Sequence, residues 1–260
     1  MAYAVGYSCD MSSPNCRMQG LIFDSEYIKS KLVNEIKQRL TDQKGSQQLI
    51  NRFENISSTG FEKTRLNQIF TLEEKDYEPW QIGEAFSEYF LEEDRNVKFW
   101  THVLRDLRNP NASSTGTDIL GFVDLGDETL FVFGEVKTST EESSPPGLLT
   151  GRSGMKKQIR DLIKDNEIKD NLVKFLGHKV VDLPEDHAFL NDYKNALMSY
   201  MKNKVHLYGV LVRDVECKDT DLRARYKEYK DNLHESTVLD FLGLYIPIKS
   251  DQWNTIIRGS

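Results

Sequence analysis

Cysteine is scarce in this 260-residue chain, at three residues (Cys9, Cys16 and Cys217). An odd, sparse set excludes a disulfide framework and points to reduced thiols. Cys9 and Cys16 lack the nearby His or second Cys pair that a zinc site needs. Glycine (16 residues) and proline (7 residues) are also few, which excludes collagen-like, mucin-like and low-complexity chains. No stretch approaches the ~20 consecutive apolar residues of a membrane helix. The first residues lack the basic region and long apolar run of a secretory signal. No membrane association and a cytoplasmic location are therefore expected. Positive charge is in deficit, 34 Lys and Arg against 41 Asp and Glu, a net −7. A protein that grips nucleic acid unaided normally carries a basic patch, so any DNA contact must be local or delivered by a partner. The five histidines include no i, i+4 pair, and no phosphate-cradling Gly-x-x-x-x-Gly-Lys-Ser/Thr loop occurs.

What is present is enough to build a core. Thirteen Phe and eleven Tyr, in a chain long enough to bury about 70–75 % of its unfolded surface, fit one large domain or two unequal ones. The first ~80 residues read as helical and polar. Asp24 or Ser25 caps a helix with Tyr27, Ile28, Lys31, Leu32, Glu35, Ile36 and Leu40 at 3–4 spacing. A stronger helix runs from Gln81 to Glu93, opened by Tyr77-Glu78-Pro79-Trp80 and striped by Ile82, Phe86, Tyr89 and Phe90. Residues 105–117 form a turn-rich loop. The period then changes from 3.6 to 2. Strands are expected at 117–123, 129–137, 205–212 and 241–248, with helices over 155–165, 186–202 and 219–235. Residues 138–154 read as a surface loop. The order of elements predicts an α/β (α+β) fold with a central mixed β-sheet flanked by helices. The expected division is a mainly helical segment, 1–75, and a domain over 76–260.

The strand at 129–137 contains an anomaly. Phe131, Phe133, Glu135 and Lys137 share one face, because side chains alternate along a strand. A solvated face would not begin with Phe-x-Phe. The hairpin register sharpens the point. With Gly126-Asp127 as the turn, paired residue numbers sum to a constant that sets Asp118 opposite Glu135, and a four-residue turn at 125–128 gives the same register. Opposed Cβ atoms lie ~4.5–5.5 Å apart. Two carboxylates there repel, more so when buried, and a divalent cation relieves them. Lys137 is a diagonal neighbour. Hard oxygen donors with open positions suit Mg²⁺, with Mn²⁺ as a substitute. Asp118, Glu135 and the Val136 carbonyl would hold the ion, and Lys137 would orient water or stabilise phosphate charge. That is phosphodiester hydrolysis. A bland alternative stands beside it, in which Lys137 simply pairs with Glu135.

The segments Gly116-Thr117-Asp118-Ile119-Leu120-Gly121 and Gly134-Glu135-Val136-Lys137-Thr138 resemble the active-site motifs of the PD-(D/E)XK nuclease superfamily, with Thr117 where the family name has Pro. The resemblance implies a restriction-endonuclease-like core with catalytic Asp118, Glu135 and Lys137. It further implies an acidic helix residue at the metal, for which Glu84 in Gly83-Glu84-Ala85-Phe86 is the candidate, and a Gln or Lys on the following helix, for which Gln158 is the candidate. The helical wheel sets Glu84 and Glu88 opposite the Phe86 stripe, so a solvated acidic face is an equal reading of Glu84. A surface glutamine is likewise an equal reading of Gln158. Arg152, Lys156, Lys157 and Arg160 crowd a helix N-terminus, where the macrodipole disfavours cations. A bound nucleic-acid phosphate would reconcile them, and a solvated basic cluster is the alternative. Gly-Glu-Ala-Phe, Gly-Thr-Asp-Ile-Leu-Gly-Phe and Phe-Gly-Glu-Val-Lys together resemble the nuclease subunits (HamA type) of Hachiman antiphage defence systems. That resemblance implies a cytoplasmic antiviral DNA nuclease in a heterodimer with a superfamily-2 helicase, the segment 1–75 being the docking candidate. A stand-alone restriction or repair nuclease, or a catalytically silent binding module of the same fold, are the competing expectations.

Overall fold

The computed structural model describes residues 2–9, 13, 15–70, 76–100 and 117–259. The predicted loop 105–117 lies outside the described residues except for Thr117, as does Gly116 of the motif. Seven strands among the described residues form one mixed sheet: β1 (Tyr3–Cys9), β2 (Cys16–Phe23), β3 (Val97–Lys98), β4 (Ile119–Asp124), β5 (Thr129–Ser139), β6 (Val205–Arg213) and β7 (Thr237–Tyr245). Their spatial order is β1-β2-β7-β6-β5-β4-β3. The central run β2-β7-β6-β5 is parallel, and the antiparallel pairs β1-β2, β5-β4 and β4-β3 extend it on both sides. This is the expected mixed α/β architecture.

Helices cover both faces. α1 (Ser25–Lys31) continues through a π turn at Leu32–Ile36 into α2 (Lys37–Thr41), followed by α3 (Gln43–Phe53), α4 (Gly60–Phe70) and α5 (Pro79–Arg95). Then come α6 (Met155–Lys164), α7 (Asn166–Val180), α8 (Ala188–Tyr200), α9 (Thr220–Tyr229) and α10 (Trp253–Arg258). One core joins Leu21, Val132, Val136, Tyr208 and Leu242 to α1, α5 and α10. The other joins Phe131, Phe133, Leu207 and Phe241 to α6, α7, α8 and α9. All nine residues of β6 are buried, as expected of a parallel strand covered on both sides. No helix among the described residues is long and apolar enough to cross a membrane.

α5 forms where the sequence predicts it, with sharper ends. Pro79 stands at its first position. Glu78 and Gln81 make a reciprocal capping box, and Asn96 closes it in the left-handed conformation (φ 54°). Its apolar stripe Ile82, Phe86, Tyr89 and Phe90 is buried.

Two strands open the segment 1–75, which was expected to be mainly helical. Residues 25–70 are helical, but β1 and β2 precede them and belong to the main sheet, with β2 lying parallel to β7. The buried positions Cys16, Met18, Leu21 and Phe23 follow a two-residue period that is interrupted once, between Met18 and Leu21. β7 also begins earlier than expected, at Thr237, and ends at Tyr245. A charge at Asp240 hides its first half, yet Asp240 is buried and bonded to Arg17 and His206. α7 is an element that the sequence reading left unassigned. Asp165 caps it, accepting from the Glu167 and Ile168 amides. The buried Lys169 ammonium turns back to donate to the Leu162 and Ile163 carbonyls (2.8 and 3.2 Å) at the end of α6.

Candidate active site

The β4–β5 hairpin sets the site. Leu125 N–H donates to the Glu128 carbonyl (2.9 Å), and Gly126 supplies the positive φ (89°) that the turn requires. Ile119 pairs with Gly134 and Leu120 with Phe133, which is the predicted register. One residue further the ladder changes character. Asp118 N–H still donates to the Gly134 carbonyl (3.0 Å). The Gly134 N–H, however, is taken by the Thr117 hydroxyl (3.1 Å), and the Val136 N–H by Asp118 Oδ2 (2.9 Å). Side chains of residues 117 and 118 thus replace strand backbone. The Asp118 carboxylate is fixed against the segment that carries Glu135.

Glu135 is 1 % exposed. Its Oε1 lies 2.5 Å from Lys137 Nζ but makes no aligned hydrogen bond. Burial pushes the Glu135 carboxyl up to about 8, and the Asp118 charge adds to this against the nearby Lys137. Asp118 is also raised by burial, opposed by the Val136 N–H, Lys137 and Glu135. The three groups that the sequence places together are together.

Glu84 joins them. Burial, followed by the Asp118, Glu88 and Glu135 charges, raises its carboxyl to about 9, so it is no member of a solvated face. The helical wheel misplaces it because β4 pairs β5 only as far as Gly134. Beyond that point the Asp118 side chain takes the Val136 N–H, and α5 packs against β5. Gly83 permits the close approach, since a Cβ there would overlap the Thr138 hydroxyl of β5. Sequence reasoning did not single out Glu88, one turn on from Glu84, as part of the site. Burial lifts its carboxyl to about 7, Arg39 of α2 lowers it, and Glu92 and Asp118 raise it. Arg39 Nη1 lies 3.6 Å from Glu88 Oε2. The i, i+4 spacing was the available signal.

Gln158 sits on α6, which packs on β5. Its Oε1 is buried without a hydrogen-bond partner. One turn earlier, Met155 lies against Gly209, the β6 residue paired with Glu135. The basic helix start is largely matched by acids. Lys156 lies 3.5 Å from Glu228, Lys157 2.5 Å from Asp161, and Arg160 3.6 Å from Asp161. Carboxylates thus supply much of the compensation that a phosphate was expected to give. Arg152 is exposed.

As the side chains stand, no group of three or more His, Cys, Asp or Glu among the described residues is arranged to hold a metal ion. Lys137 takes the cation's place at Glu135. The donor chemistry nonetheless fits a hard divalent ion. Asp118, Glu135 and Glu84 offer carboxylate oxygens, all three are raised in pKa by burial, and one ammonium balances them. The chain matches no family model and no curated protein.

Proposed function

We propose that this protein is a divalent-metal-dependent nuclease that hydrolyses phosphodiester bonds in DNA. One observation carries the reading: three buried or half-buried carboxylates, Asp118, Glu135 and Glu84, share one ammonium, Lys137, at the end of a strand. A purely structural Lys137–Glu135 pair would leave two acids with no cation of their own. Burial holds Glu84 and Glu135 protonated near neutral pH, far above an ordinary carboxyl, and a cluster of acids perturbed in this way marks a functional site.

Asp118, Glu135 and Glu84, with the Val136 carbonyl, would hold Mg²⁺ or Mn²⁺. The ion would supply an acidified water and polarise the phosphoryl oxygen. Asp118 is held in place by the Val136 N–H. The Lys137 ammonium, held by Glu135, orients water and takes up charge that develops on a non-bridging oxygen. Gln158 lends an amide to the same face. Arg152, with Lys156, Lys157 and Arg160 behind it, steers the DNA backbone.

The acidic net charge supports a division of labour in which a helicase subunit engages the DNA and this chain cuts it, as in the antiphage complexes that the motifs resemble. The α3–α4 hairpin supports a docking role, because Phe61, Ile56 and Ile69 are 81, 71 and 59 % exposed on it.

The test is cleavage of plasmid and linear DNA by the purified chain, with and without the helicase, in Mg²⁺ or EDTA. Glu135→Gln and Lys137→Met are each expected to lower the rate by at least about a hundredfold with an unchanged circular dichroism spectrum. Unaltered cleavage in either variant refutes the site. Metal-dependent DNA binding without cleavage would support the silent-module reading instead.

A further inference from the structure

The last rung of the β4–β5 ladder is built by a side chain. Leu125 and Glu128 are hydrogen-bonded at the turn. Bonded pairs recur at every second residue of an antiparallel ladder, so the register partners Ile119 and Gly134 should exchange bonds as well. Instead the Thr117 hydroxyl stands between them. It accepts from the Gly134 N–H at 3.1 Å. Its one proton has two carbonyls in reach, Gly134 at 2.5 Å and Ile119 at 3.1 Å. Thr117 is buried. The Asp118 N–H donates to the same Gly134 carbonyl at 3.0 Å. Gly134 thus faces two residues, Ile119 and Asp118, in the manner of a β-bulge, which re-aims a side chain beside a site.

β5 has little room to adjust, because it pairs with β6 from Val132 to Ser139 and β6 is buried along its whole length. The irregularity falls on residues 117 and 118, just before β4. Its effect is visible at Asp118. A regular ladder would set Asp118 directly opposite Glu135 on one face. With the hydroxyl inserted, Asp118 Oδ2 accepts the Val136 N–H at 2.9 Å, which ties the carboxylate to the backbone of β5 next to Glu135.

We propose that Thr117 is a positioning residue of the carboxylate cluster: its hydroxyl, inserted between Gly134 and Ile119, holds Asp118 in the orientation that presents its carboxylate at Val136 and toward the divalent ion. Without the hydroxyl, Gly134 and Ile119 bond directly, the ladder becomes regular, and Asp118 withdraws from the Val136 N–H. The consequence for cleavage rests on the nuclease reading, whereas the orientation of Asp118 does not.

The test pairs amide hydrogen exchange by NMR on the metal-free full chain with cleavage kinetics in Mg²⁺, for Thr117→Val, Thr117→Ala and Thr117→Ser. In Thr117→Val, which keeps the shape, and in Thr117→Ala, the Val136 N–H should exchange at least about tenfold faster, the scale of one lost hydrogen bond. Val210 and Leu211 of β6 should keep wild-type protection. The kcat should fall at least about tenfold in both variants with KM for DNA little changed. Thr117→Ser retains the hydroxyl and should stay within about threefold of wild type in exchange and cleavage. Unchanged Val136 exchange in both hydroxyl-free variants, or wild-type kcat in either of them in an active chain, overturns the proposal. Equal loss of protection at Val210 and Leu211 also overturns it, by assigning Thr117 to the fold alone. Faster exchange confined to Val136, in a chain whose wild type does not cleave, overturns the nuclease reading and supports Thr117 as the residue that holds Asp118.

Discussion

At the scale of single residues, the strongest signal is protonation. Glu135 and Glu84 are raised to about 8 and about 9 by burial and then by the Asp118 charge, and Glu88 to about 7 by burial. An unfolded carboxyl titrates near 4.3. Between that pH and about 9, the folded chain therefore holds protons that the unfolded chain has released. Stability is full below the unfolded value and falls as pH rises through the folded values. The metal-free protein should melt at progressively lower temperature from pH 5 to pH 9. Glu84→Gln and Glu135→Gln should melt higher than wild type at pH 8.5 and no higher at pH 5. Mg²⁺ should recover most of the alkaline loss in wild type and little of it in either variant. Differential scanning calorimetry across this range checks the sign, and a flat or rising profile would contradict the acid cluster. Asp118, Glu135 and Lys137 were legible in the sequence because strand alternation and hairpin register are local rules. Glu84 was only half legible, since its burial beside Asp118 depends on how α5 packs against β5, and no helical wheel contains that fact.

At the scale of elements, the hairpin and α5 follow closely from sequence signals, a turn glycine and a capping box. β1 and β2 do not, because a strand that joins a sheet through a partner more than 200 residues away, as β2 joins β7, has no local signature beyond its alternation. α7 was missed for a related reason: its cap Asp165 directly follows α6, so two helices read as one ending. The contact between α5 and β5 carries the site's geometry. Gly83 lets the helix sit on Thr138, and the next residue is Glu84. Gly83→Val should push the two elements apart. Overpacking of this kind costs about 1–3 kcal/mol, measurable by urea unfolding. Cleavage should fall further than this loss of stability explains, because Glu84 retreats from Asp118. Thr138→Ala in the same background should restore part of both, as it removes the hydroxyl that the new side chain meets. An additive double variant would show that the two residues do not share this contact.

At the scale of the whole molecule, the distribution of charge and of exposed apolar groups bears on the proposed division of labour. The chain is acidic overall, yet the pair α3–α4 runs against that balance. It carries Lys44, Arg52, Lys63 and Arg65 against Glu54 and Glu62, with Phe53 stacked on Phe70 and Phe61, Ile56 and Ile69 turned outward. Exposed apolar side chains on a locally basic pair of helices in an acidic chain suit docking to another protein better than gripping a duplex, whose phosphates the rest of the chain would repel. The chain alone should therefore bind a 30-base-pair duplex weakly at 150 mM salt by fluorescence anisotropy. Its few phosphate contacts should give a shallow salt slope, because each contact contributes a decrement near one in log K against log salt. Addition of the helicase should bring tight DNA association of both chains. Phe61→Asp with Ile56→Ser should abolish co-elution with the helicase while leaving metal-dependent stabilisation intact, since both side chains are exposed and neither is among the groups that shift the carboxylates. Tight, salt-steep binding by the chain alone would instead favour a self-sufficient restriction or repair nuclease, and Arg152 and its neighbours would then be the first residues to neutralise. Arg39 makes the two regions more than neighbours. It leaves α2, directly before the hairpin, to meet Glu88 at the edge of the acid cluster, so a partner that shifts α2 would alter the charge balance beside Asp118. Arg39→Gln should then change cleavage by the complex more than cleavage by the isolated chain, and equal effects in both would confine Arg39 to holding α2 against α5.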